Sequence, residues 1–170
     1  MDMRALEAVI GGLNAESVRF LVAGGLAVAA HGYLRFTADL DLVISLDAAN
    51  VTQAFRALER QGYRPTVPVT AAQFADPNQR SRWIEERRMQ VLNFFSDRHR
   101  TMPVDVFVSE PFLFADEYAA AVAVQLAPGI DVRFVSLETL MSMKRIAGRP
   151  KDLDDLEHLT IVASVKREGT

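Results

Sequence analysis

The stretch "VRFLVAGGLAVAAHGYLRFTADLDLVIS" (Val18 to Ser45) constrains the fold more than any other part of the chain. A short apolar run ends on Gly24 and Gly25, an alanine-rich segment follows, and a second apolar run opens with Asp39 and Asp41. Short apolar runs bounded by turn residues read as buried strands. "LAVAAHGY" reads as a short helix between them. Side chains alternate faces along a strand, so Asp39 and Asp41 share one face, roughly 6.6 Å apart at about 3.3 Å per residue. Leu40, Leu42 and Ile44 turn the other way and can pack on helices. Two carboxylates so close raise one another's pKa and oppose folding unless something positive meets them.

The remaining elements follow from periodicity. Leu6, Val9, Ile10 and Leu13 lie at helical spacing within Met3 to Leu13, and Val51, Phe55 and Leu58 do so between Asp47 and Gly62, a plausible C-cap. Arg64 to Arg88 is the least regular part, with Pro65, Pro68 and Pro77. Its arginines (Arg80, Arg82, Arg87, Arg88, with Trp83 among them) read as a solvent helix balanced by Glu85 and Glu86 rather than an acceptor-binding flap. "MQVLNFFS" and "PVDVFVS" suit an antiparallel hairpin; in the second, Val104, Val106 and Val108 oppose Asp105 and Phe107. A helix is predicted around Pro111 to Ala123 and a last strand at "IDVRFVS" (Ile130 to Ser136). Ser136 caps the helix of "LETLMSMKRIA", Gly148 interrupts it, and Pro150 suits the first turn of a closing helix.

This pattern predicts an α/β (α+β) fold, a mixed sheet flanked by helices with a short C-terminal helical extension. At 170 residues the chain reads as a single domain spanning 1–170, with a core at about 18–136 and C-terminal helices at about 137–165. It has no cysteine, which rules out disulfides and thiolate metal sites. A net charge of −3 gives no global basic field, which leaves a local basic patch open. The first residues lack a leader pattern and no run approaches 18 apolar residues, so a cytoplasmic protein with no membrane partner is expected.

If the two aspartate-bearing strands are neighbours, Asp39, Asp41 and Asp105 converge. Oxygen-only ligation suits Mg²⁺ or Mn²⁺, and two such ions can clamp an in-line phosphoryl displacement. A D-x-D pair by itself is more often a solvated sheet face. The Gly24–Gly25 turn changes that, because backbone amides at a helix N-terminus can approach a phosphate. His31 reads as a packed or surface histidine.

The order strand, Gly-Gly, short helix, D-x-D strand, with thirteen residues between Gly25 and Asp39, and then a further acidic strand, resembles the nucleotidyltransferase superfamily. The wording "VAGGLAVAAHGYLRFTADLDLVI" is similar to its AbiEii/AbiGii branch, which includes toxins of bacterial toxin–antitoxin systems. "KRIAGRPKDLDDLEHL" resembles that branch's R-x-K-D-x-x-D motif, filled by Arg149, Lys151, Asp152 and Asp155, with Lys144 ahead of it. The resemblance runs from about Phe20 to Leu159. Gly25 stands where many superfamily members carry serine, and longer members of the branch carry a helical region beyond the core.

The resemblance implies transfer of a nucleoside monophosphate from a nucleoside triphosphate to an acceptor hydroxyl. Asp39 and Asp41 would ligate metal. Asp105 would share the ion nearest the acceptor and help deprotonate it. Gly24 and Gly25 would approach the phosphates, and Lys144, Arg149 and Lys151 would bind the nucleotide. Arg35 and Thr37 would touch phosphate or brace the loop, while Asp152 and Asp155 would orient Arg149 and Lys151. Taken as helix residues alone, Lys151 and Asp155 at i, i+4 would be a plain surface pair. The acceptor would be RNA or protein, with an antitoxin protein as partner. A small-molecule acceptor, as in antibiotic-modifying branches, is the alternative, and a catalytically silent nucleotide- or partner-binding module is a third reading. Three mutually repelling carboxylates argue against the silent module.

Overall fold

The computed structural model describes residues 2–168. Seven strands form one mixed sheet: β1 (Phe20–Val22), β2 (Leu40–Ile44), β3 (Tyr63–Pro65), β4 (Val91–Ser96), β5 (Val104–Phe107), β6 (Val122–Ala127) and β7 (Ile130–Phe134), in the order β3-β4-β5-β2-β1-β7-β6. β1 and β2 run antiparallel, β2 and β5 parallel, and β4 and β5 antiparallel as the hairpin pattern predicts. Register then sorts the side chains. Asn93, Asp105 and Asp41 align as one row across β4, β5 and β2. The flanking rows, Leu92–Val106–Leu42 and Phe94–Val104–Leu40, point to the opposite face and are buried.

Two groups of helices cover the sheet. α1 (Met3–Ala15) and α3 (Ala48–Arg60) pack on each other. The Phe55 ring of α3 stands edge-on to Phe94 at 5.2 Å, which places α3 on the apolar face. α1 buries Ala5, Leu6, Val9, Ile10 and Leu13, so the packed core begins well before residue 18. On the aspartate face lie α2 (Gly24–His31), α7 (Leu137–Ala147) and α8 (Pro150–Glu168), in mutual contact. Ser136 caps α7 by accepting from the Thr139 amide, and Gly148 ends it at φ +60°.

Two expectations need correction. The segment from Arg64 to Arg88 is regular: β3 is followed by α4 (Ala71–Ala75) and α5 (Pro77–Arg87). Thr70 and Asp76 cap these helices and Pro77 opens the second, while Phe74 and Trp83 are the only side chains they bury. A single buried anchor per helix leaves little periodicity to read. The helix placed at Pro111 to Ala123 is shorter: α6 spans Phe114–Ala120, and Val122–Ala127 is the edge strand β6, antiparallel to β7. Both faces of its first four residues are exposed, so no apolar alternation marks it. Among the described residues no helix is long and apolar enough to cross a membrane.

Phe94 is 1% exposed, whereas its neighbour Phe95, on the other face, is 37% exposed. Phe94→Ala is expected to lower urea-unfolding stability by about 3–5 kcal/mol, and Phe95→Ala by about 1 kcal/mol or less.

Candidate active site

The site is built where β1 turns into α2. Gly24 sits at φ +59°, and a Cβ there would collide with the Asp41 carboxylate. Only glycine meets both demands. The turn is tied to the acidic strand directly, since the Ala23 amide donates to the Asp41 carbonyl at 2.9 Å. Gly25 is constrained differently: a Cβ would lie 2.5 Å from Thr37 Oγ1 and 2.7 Å from Thr37 Cβ. A serine at this position therefore has no room while Thr37 stays where it is.

Asp41 and Asp105 are register partners on parallel neighbours, and Asp39 stands one residue ahead of β2. All three line a single cavity of about 190 Å³, together with Gly24, Gly25, Arg35, Thr37, Lys144, Arg149 and Lys151. The ten residues singled out from the sequence thus come together in one place. Burial raises the Asp41 pKa to about 6, reinforced by Asp105 and Asp39 and opposed by Lys144 and Lys151. Burial also raises Asp105, against a hydrogen bond from Asn93 Nδ2 at 2.7 Å, with Asp39 adding to the rise. Asn93 was not singled out beforehand, although the alternation of "QVLNFFS" and a hairpin register would have placed it beside Asp105.

Among the described residues, none of the three acids forms an ion pair. Nor do any three His, Cys, Asp or Glu side chains there close into a ready-made metal cage. Mg²⁺ is usually held by one or two carboxylates with water and substrate phosphate rather than by an all-protein cage. An uncompensated, all-oxygen donor set on adjacent strands fits that kind of ion.

The opposite wall is a buried ion cluster. Lys144, 5% exposed, donates to Asp152 at 2.9 Å and lies 2.7 Å from the Asp155 carboxylate. Arg35 grips Asp155 with two bonds, Nε at 2.6 Å and Nη2 at 2.9 Å, and its Nη1 donates to the Phe36 carbonyl. Arg149 Nε donates to Asp152 at 2.6 Å. Both aspartates are fully buried. Burial pushes the Asp152 pKa up, but hydrogen bonds from Arg149 and Lys144 outweigh it and hold the group at about 2. Asp155 is lowered likewise, with Arg35 and Lys144 overcoming burial.

Asp152 thus orients Arg149 as expected, but the expected Lys151–Asp155 pair does not form. Asp152 and Asp155 lie three apart on the buried side of α8 and meet Lys144, whereas Lys151 is exposed, lines the cavity and makes no ion pair among the described residues. His31 is buried, its Nε2 2.8 Å from the Val135 carbonyl, a packed histidine. Arg80, Arg82, Arg87 and Arg88 are absent from the cavity wall. Arg80 instead donates to the Phe74 carbonyl at 2.5 Å.

Comparison with known proteins agrees with this architecture. No curated protein matches the sequence. Among solved structures, the solution structure of the antibiotic-resistance factor ANT(2'')-Ia is similar with a TM-score of 0.57 at 13% identity, covering 99% of this chain and 94% of that one. A crystal structure of ANT(2'')-Ia in complex with adenylyl-2''-tobramycin gives 0.55 at 12% identity, covering 98% and 97%. At such identities the likeness speaks to the fold, which is that of a nucleotidyltransferase. Residues 8–163 match the family described as "Nucleotidyl transferase AbiEii toxin, Type IV TA system". With nearly its whole length matched, the chain belongs to the AbiEii nucleotidyl transferase family.

Proposed function

We propose that this nucleotidyltransferase uses Mg²⁺ or Mn²⁺ to move a nucleoside monophosphate from a nucleoside triphosphate to a hydroxyl of RNA or protein, as a single-domain toxin restrained by an antitoxin partner. The observation that carries the chemistry is the alignment of Asp41 with Asp105 beside the Gly24 turn. Asp39, Asp41 and Asp105 would hold the ions, which when bound would neutralise the carboxylates and polarise the triphosphate oxygens. Asp105, kept basic by partial burial, takes the proton of the acceptor hydroxyl. The acceptor oxygen then bonds to the α-phosphorus, the bond from that phosphorus to the bridging oxygen breaks, pyrophosphate leaves, and the proton passes to solvent.

The two lysines divide the work. The Lys144 ammonium is already shared by two buried carboxylates and holds α8 in place. Among the described residues lining the cavity, Lys151 is the cation without an ion pair, and it would neutralise the triphosphate. Toxin-like action on a macromolecule rests on family membership. A small-molecule acceptor is the second reading, favoured by the likeness to the ANT(2'')-Ia complex.

Mg²⁺ with ATP, GTP, CTP or UTP should raise the melting temperature, and the double variant Asp39→Asn, Asp41→Asn should lose both that rise and, by at least about a hundredfold, transfer activity. Labelled-nucleotide transfer to bulk tRNA, to protein, and to aminoglycosides separates the acceptors. Label appearing only on the aminoglycosides would replace the toxin reading. No response to any nucleotide would favour a silent module.

The acids also predict a pH signature. The Asp41 pKa is raised above its unfolded value of about 3.9, so its contribution to stability is complete below about pH 4 and is lost as pH rises through 6. In EDTA, Asp41→Asn should be about 2–3 kcal/mol more stable than the wild type at pH 8, with the gap closing by pH 4. Equal stabilities at pH 8 would contradict this electrostatic account. Lys144→Ala should destabilise the protein by about 3 kcal/mol, because two buried carboxylates lose the cation they share and keep one guanidinium each. Lys151→Ala should change stability by only about 0.5 kcal/mol while raising KM for the nucleotide.

A further inference from the structure

Of the three carboxylates in the cavity, only Asp105 accepts a side-chain hydrogen bond among the described residues: Asn93 Nδ2 donates to its Oδ1 at 2.7 Å. A carboxylate accepts and cannot donate, so the amide turns its nitrogen to Asp105 and its oxygen away. The Asp105 Oδ2 is left unengaged. Asn93 does not itself line the cavity, whereas Asp105 does. Its own place is fixed from both sides. It is the register partner of Asp105 on antiparallel β5, and its carbonyl accepts from the Thr66 amide, just beyond β3, at 2.9 Å. The residue type is unexpected there. Asparagine is depleted in strands, yet it stands within "VLNFFS" at an exposed position that packing does not dictate.

We infer that Asn93 is a positioning residue for Asp105: its amide holds one carboxylate oxygen and leaves the other for the divalent ion and the acceptor hydroxyl. The inference rests on the proposed nucleotidyl transfer and adds to it a residue outside the D-x-D and R-x-K-D-x-x-D motifs. The partner has to be a neutral donor. Lysine or arginine there would pair with the carboxylate, as Lys144 pairs with Asp152 and Asp155, and close it to a metal ion. A further carboxylate would add to the repulsion among the acids. Groups that orient a metal ligand from behind change metal affinity or activity by about 10–100-fold when they are lost.

Asn93→Leu keeps the volume and removes the donor. Asn93→His returns a donor, because histidine Nδ1 stands as many bonds from Cβ as asparagine Nδ2. Mn²⁺ is the probe, its binding to the nucleotide-free full chain followed by calorimetry, with transfer kinetics measured alongside. Asn93→Leu should weaken Mn²⁺ binding about tenfold and lower kcat by a similar factor, with nucleotide KM and unliganded melting unchanged. Asn93→His should restore most of both. Asp105→Asn should weaken Mn²⁺ binding at least as much, and adding Asn93→Leu to it should weaken binding no further, a coupling that a purely structural asparagine would not produce. Wild-type Mn²⁺ affinity in Asn93→Leu, or losses that simply add, overturns the inference and leaves the nucleotidyl-transfer reading intact. So does a rise in acceptor KM alone, which would make Asn93 a direct contact of the acceptor, and so does wild-type protein that takes up a nucleotide but no Mn²⁺. Wild-type protein that binds neither Mn²⁺ nor any nucleotide overturns both.

Discussion

A buried ammonium shared between two buried carboxylates holds the site together. Lys144 comes from the last turn of α7, Asp152 and Asp155 from the start of α8, and Arg35 from the segment entering β2. Removing Lys144 would leave each buried carboxylate with a single guanidinium, Asp152 with Arg149 and Asp155 with Arg35, which is costlier than losing a surface pair. The cluster therefore fixes three separate pieces of chain relative to one another. The angle between α7 and α8, set by the left-handed Gly148 turn, follows from it. So does the wall of the cavity that faces the acidic strands.

Across that cavity the same residue type behaves in opposite ways. Asp152 has two cationic partners and its pKa falls to about 2, whereas Asp41 has carboxylate neighbours and rises to about 6. Burial raises both, so the partners decide the sign. One wall is electrostatically complete within the protein. The other carries three carboxylates that form no ion pair among the described residues, which is the arrangement expected where a cation and a polyanionic substrate complete the structure. The first wall gives rigidity, and the second gives the chemistry its opening.

Much of this was legible in residue order. The glycine pair, the D-x-D strand and the alternation around Asp105 each carried a local signal, and the hairpin joining β4 and β5 followed from its short polar connection. The R-x-K-D-x-x-D stretch pointed to Asp152 beside Arg149 but not to the partners of Asp155. Helical spacing paired Lys151 with Asp155, whereas the fold gives Asp155 to Arg35 and Lys144, 120 and 11 residues away in sequence. β6 and the helix α4 escaped notice, and α5 was read only as a solvent helix of its arginines, because their buried contacts are few and periodicity had little to register.

The sequence alone determined the turn at Gly24, the alternation that puts Asp39, Asp41 and Asp105 on polar faces, and the apolar rows opposite them, since these depend on backbone sterics and on periods of two and 3.6 residues. Only the tertiary structure decided that β5 lies beside β2 with Asp105 level with Asp41, that Thr37 leaves no room for a side chain at residue 25, and that Lys144 is a clamp while Lys151 remains exposed. Those outcomes depend on strand order and on long-range charge pairing. Spacing along the chain does not encode either, because desolvation and partner choice exist only once distant segments have met.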